Sequence, residues 1–148
     1  MNGESVKTAT NEAQKVVMVV DRNLPLGRIA NTTAVLGISL GNLWGEMVGP
    51  DLTDADGQLH RGITTQTIPV LSGDAEQLLQ LREKLTCQDF TEVTVIGFTE
   101  TAQQSLDYAQ YARRLATVGA DDLKYVGLCL QGPVKKINRL TGNMALLR

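Results

Sequence analysis

The chain has 148 residues, 43% of them hydrophobic, with 14 basic against 16 acidic side chains. That is enough for one domain around a single core, and the charge balance excludes broad electrostatic binding to nucleic acid. The apolar runs are far shorter than the roughly 20 residues of a membrane span, and the polar start shows no signal peptide, so the expected setting is cytoplasmic.

Residues 1–14 are polar and aperiodic and read as a flexible lead, leaving 15–148 as the domain. Lys15 to Asp21 is a β-branched run that reads as a strand buried on both faces. Pro25 and Gly27 punctuate the following turn. From Arg28, the residues Ile29, Thr32, Leu36 and Leu40 keep a helical period, with Gly37 and Gly41 expected to mark close packing of helix on sheet. Asp54-Ala-Asp-Gly57 has the look of a calcium loop, but the twelfth position from Asp54 is Thr65 rather than glutamate, and a hairpin turn is expected instead. Thr64 to Leu71 contains Pro69 and reads as an extended edge segment. Asp74 should cap a helix whose face is Leu78, Leu81 and Leu85.

Thr91 to Phe98 reads as a strand and Thr99 to Thr117 as one helix carrying Ala102, Leu106 and Ala109. Tyr125 to Leu130 is a second buried run. Gly132-Pro133 then opens a short helix with Val134, Ile137 and Leu140 on one face, ended by Gly142. Met144 to Leu147 reads as a short closing strand. The alternation of strand and helix makes an α/β layered sheet, mixed and mostly parallel, flanked by helices. Cys87 and Cys129 have neither metal spacing nor a disulfide framework, and reduced thiols are expected.

The motifs of strong chemistry are missing: no Walker loop, no Gly-x-Gly-x-x-Gly, no Cys-x-x-Cys. His60 is the only histidine, and as a base it would need an orienting partner. Glu100 is the other candidate base. Thr99 could cap the helix that starts there, with Glu100 favourably placed in its first turn. If the strands run parallel, Arg28 and Asn31 after the first strand, Thr99 after the third and Lys135 with Lys136 after the last gather at one end of the sheet, as a ligand mouth for an anion.

Two segments carry a resemblance. Val-Val-Met-Val-Val-Asp-x-Asn-Leu-x-x-Gly from Val16, and Gly-x-Cys-Leu-x-Gly-Pro-x-x-x-Ile-Asn-Arg-Leu-Thr-Gly-Asn-Met-x-Leu-Leu from Gly127, resemble the second-class peptidyl-tRNA hydrolases of archaea and eukaryotes. With Asp56-Gly-x-Leu-His60, Gly62-Ile-Thr64, Phe98-Thr-Glu100 and Asp107-Tyr-x-x-Tyr111, the chain from Lys15 to Arg148 looks more like an uncharacterised bacterial family, number two thousand among the domains of unknown function, thought to share the hydrolase fold. The resemblance implies a peptidyl-tRNA hydrolase class II-like fold. The hydrolases' lysine- and glycine-rich loop is here Leu24-Pro-Leu-Gly27, with Arg28 the only cation. Their first-helix histidine falls at Val35, their acidic residue at Phe98 and their C-terminal histidine at Asn143. The Gly-Pro turn and the Thr141-Gly142 ending carry over.

The expected function is a small-ligand or partner-binding module that keeps this scaffold without its catalytic set. Arg28, Asn31, Thr99, Lys135 and Lys136 would bind a small anionic ligand, with no cofactor and no metal. The alternatives are an esterase-like hydrolase acting on aminoacyl or peptidyl conjugates, with Glu100 or His60 as base, and a structural homo-oligomer such as a homodimer.

Overall fold

A computed structural model describes residues 12–148. The flexible lead expected over 1–14 lies outside the described residues as far as Asn11, while Gln14 already belongs to the first strand.

Strand β1 (Gln14–Asp21) is the β-branched run of the sequence, and six of its residues are buried. It lies between β4 (Val70–Gly73) and β6 (Tyr125–Pro133), and β5 (Thr94–Thr99) completes the order β4-β1-β6-β5. The sheet is mixed, but it is not mostly parallel by pairing. Only β1 and β4 pair parallel; β6 runs antiparallel to both β1 and β5, with Met18 opposite Cys129 and Ile96 also opposite Cys129.

The break responsible lies between β5 and β6, where one helix was expected over Thr99 to Thr117. The chain forms α3 (Glu100–Gln103) and α4 (Tyr108–Leu115) instead. Asp107 caps α4 by accepting from Gln110 N at 2.8 Å, and the Ser105 hydroxyl donates back to Thr101 O at 2.7 Å. Side chains of this kind offer the backbone an alternative to helix. Two short helices do not carry the chain back across the sheet, so β6 re-enters beside the end that β5 left.

Alternation along β1 feeds two cores. Val17 and Val19 join Leu128 and Leu130 of β6 under α2 (Ala75–Lys84) and α5 (Val134–Thr141), where Leu78, Leu81, Ile137 and Leu140 are buried. Val16, Met18 and Cys129 face Leu36 and Leu40 of the long helix α1 (Leu26–Leu43). Capping of α2 is as read: Asp74 accepts from Gln77 N at 2.8 Å, and the Gln77 side chain accepts from Asp74 N at 2.9 Å.

The close approach expected at Gly37 and Gly41 is absent, since a Cβ at either would meet nothing within 4 Å. It occurs from the sheet side, at Gly127 of β6. A Cβ there would stand 2.4 Å from Thr32 Cγ2 and 3.2 Å from Leu36 Cδ1.

The closing strand is a single bridge, Leu71 with Leu146. Ser72 N donates to Ala145 O at 2.8 Å and Leu147 N to Val70 O at 2.9 Å, which covers the outer edge of β4. Between α1 and β4 the chain makes a hairpin arm, with β2 (Leu52–Thr53) paired to β3 (Leu59–His60) across a turn where Gly57 takes φ 81°. Asp54 Oδ1 accepts from Asp56 N and Gln58 N at 2.9 and 3.0 Å, so Asp54-Ala-Asp-Gly57 is a turn, as read.

Burial pushes the Cys129 thiol up to about 12 from an ordinary 9.0, whereas Cys87 is exposed. A thiol reagent at neutral pH is expected to modify Cys87 alone until the protein unfolds, measured as one fast equivalent rather than two. The unfolded chain gives up the Cys129 proton first, so this residue's contribution is intact below about pH 9 and declines as pH rises towards 12.

Candidate functional site

On α1, Arg28, Asn31, Val35 and Ser39 follow one another at three- and four-residue steps and share a face. Val35, Leu36 and Ser39 form one wall of a groove of about 410 Å³. Its floor is Ile96, Gly97 and Phe98 of β5, and its far wall is Ala102, Ser105, Asp107, Tyr108 and Tyr111. The groove lies where α1, with Met47 and Trp44 just beyond it, covers this face of the sheet, while α4 has no buried residue. Tyr108 and Tyr111 meet edge to face with centroids 5.5 Å apart. Ser39, Ser105, Asp107 and the two phenols are the polar groups of an otherwise apolar lining.

Arg28 and Asn31 extend the α1 wall towards the carboxyl ends of β1 and β5, and both are exposed. Among the described residues, Arg28 makes no ion pair. Thr99 is buried and caps α3, accepting from Ala102 N at 3.2 Å. Glu100 is held by Lys124: its carboxylate lies 3.5 Å from Nζ, and its backbone N donates to Lys124 O at 2.8 Å. The side-chain amide of Gln103, next along α3, is shut away from solvent with neither N nor O hydrogen-bonded. An unmet buried amide is costly, so Gln103→Met is expected to raise stability by about 1–3 kcal/mol in urea unfolding.

The expected gathering of cations at one mouth does not occur. Because β6 is antiparallel to β1 and β5, Lys135 and Lys136 emerge at the opposite end of the sheet from Arg28, Asn31 and Thr99. There Lys136 Nζ lies 5.9 Å from the centroid of Phe90, and the Arg139 guanidinium lies 5.2 Å from it and 4.0 Å from Asp89. The aromatic face is a partner for these cations without any bound anion.

His60 has the orienting partner that a base requires, Asp54 Oδ2 at 2.9 Å, and this contact, followed by the Gln58 amide, holds the Asp54 carboxyl below its ordinary range. The pair sits on the arm, where His60 lines a hollow of about 610 Å³ with Leu52, Leu59 and Ile63, apart in the chain from the α1–β5 groove, and the two side chains are 62% and 38% exposed. Asp51 shapes the same arm, accepting from Arg61 and from Gly62 N at 3.0 and 2.8 Å. Glu100 and His60 have different partners, Lys124 for the one and Asp54 for the other. Among the described residues, no group of three or more His, Cys, Asp or Glu side chains could hold a metal, and no helix is long and apolar enough to cross a membrane.

Ser39, Ser105, Tyr108 and Tyr111 were missed as site residues. For the two tyrosines the signal was Asp107-Tyr-x-x-Tyr111, a motif of the bacterial resemblance with no helical-core role, since Tyr108 is 82% exposed; Ser39 and Ser105 carried none.

The solved structure of the protein of unknown function Atu0240, from Agrobacterium tumefaciens strain C58, superposes with a TM-score of 0.81 at 22% identity, covering 90% of this chain and 96% of that one. This likeness is one of fold. No curated protein matches the chain. The family described as protein of unknown function (DUF2000) matches residues 14–148. The chain belongs to that family.

Proposed function

We propose that the protein is a binding module for a small molecule with an apolar body and an anionic head. The body lies in the groove between α1, β5 and α4, and the head lies towards Arg28 and Asn31. The groove carries this reading: about 410 Å³, mostly apolar, with a few convergent polar groups and two aromatic rings, is the usual character of a small-ligand site. The scaffold in this proposal is that of the second-class peptidyl-tRNA hydrolases, supported by the first and last long strands standing as central neighbours. The resemblance puts the hydrolases' histidine and acid at Val35 and Phe98, and both line the groove. An aliphatic and an aromatic side chain there favour holding a ligand over activating water.

Short-chain carboxylates and aromatic acids, screened by ligand-observed NMR, supply the test. Val35→Trp should fill the groove and abolish binding without lowering the melting temperature. Arg28→Gln should weaken carboxylates about tenfold and remove the salt dependence of their binding. Binding that survives Val35→Trp would sink the proposal. The companion expectation is that the purified protein gives no multiple-turnover cleavage of peptidyl-tRNA; turnover abolished by Glu100→Gln would instead favour the hydrolase reading.

A further inference from the structure

The two edges of the sheet are finished differently. Beyond β4, the chain's own C-terminal segment supplies Ala145 O and Leu147 N to the open backbone groups. Beyond β5 there is nothing comparable among the described residues: its strand partners all lie on β6, and no other backbone group bonds to Thr94–Phe98. Strand β5 reads Thr-Val-Ile-Gly-Phe-Thr, without a charge or a proline. It therefore lacks the charges and prolines that keep an open edge from pairing with another chain, and its one irregularity, between Phe98 and Thr99, leaves Thr94–Gly97 in regular register. A large, exposed side chain stands near the same strand: Tyr108, 82% exposed, lines the groove with Ile96 and Phe98.

We infer that β5 pairs antiparallel with β5 of a second copy of this chain about a two-fold axis, joining the two sheets into one. Three observations favour a second copy over a foreign strand. An uncharged strand laid against itself brings no like charges together. A two-fold contact satisfies both bare edges at once, each residue meeting on the partner the site that the partner offers it. The other edge of each sheet is already covered by residues 145–147, so the assembly closes at the dimer and does not grow into a fibre. The inference does not rest on a ligand in the groove.

Sedimentation of the full chain at micromolar concentration is expected to give twice the 16.0 kDa chain mass. Hydrogen exchange should show amides of Thr94–Thr99 whose protection rises with protein concentration. Thr94→Lys, at an exposed position of the strand, should weaken self-association at least tenfold and remove that added protection. The circular-dichroism spectrum of the variant confirms that it folds. A parent protein that stays monomeric across the range would overturn the inference. So would a dimer whose concentration-dependent protection falls elsewhere, for instance on the arm at residues 48–64, whatever the variant does.

Discussion

Gly127→Ala is expected to destabilise the protein by about 1–3 kcal/mol, because the added methyl has nowhere to go. The position it would take is 2.4 Å from Thr32 Cγ2, and Thr32 is itself fully buried between α1 and the sheet. Thr32 is β-branched and tied at its hydroxyl to Arg28 O at 2.7 Å, so it cannot swing aside. The helix must lift, loosening Leu36 and Leu40 against the sheet. For a chain of this size the melting temperature should fall by roughly 2–12 °C. The double variant Gly127→Ala with Thr32→Ser removes the opposing methyl and keeps the hydroxyl, and it should recover much of the loss. Strict additivity of the two single changes would show that the contact is not the cause.

Ile137→Ala is expected to cost more, about 2–5 kcal/mol, read from the urea midpoint at unchanged slope. Ile137 is fully buried in the core shared by α2 and α5. Helix α5 has only 8 residues, well below the roughly 12–15 that an isolated helix needs, so docking rather than propensity holds it. Lys135→Ala, two positions away and exposed, is the control. It should change stability by no more than about 0.5 kcal/mol.

Periodicity made the two central strands, α2 and the face of α5 legible, because each is an apolar pattern with a single solution. Direction was not legible. Nothing in Tyr125 to Leu130 distinguishes a strand running with β1 from one running against it, since a strand buried on both faces reads the same either way. The apolar spacing of Ala102, Leu106 and Ala109 suggested a continuous helix, and the local capping by Asp107 and the Ser105 hydroxyl overrode it. That one break reversed β6 and moved Lys135 and Lys136 away from Arg28 and Thr99. The groove was hidden for a related reason: it is made by what α4 fails to cover, and sequence patterns report burial better than its absence.

The antiparallel marriage of β1 and β6 also sets a timetable. Met18 pairs with Cys129, and Lys15 Nζ reaches Asn138 across 123 positions of chain. During synthesis β1 leaves the ribosome well before its central neighbour, since β4 and β5 both lie between them in chain order. Until then the nascent chain can pair β1 only with four-residue β4, while β5 has no strand to lie against. Loop closure on this scale must precede most of the stabilising burial. The buried run of β1 thus stays without its central partner, exposed to chaperones, until β6 has been made.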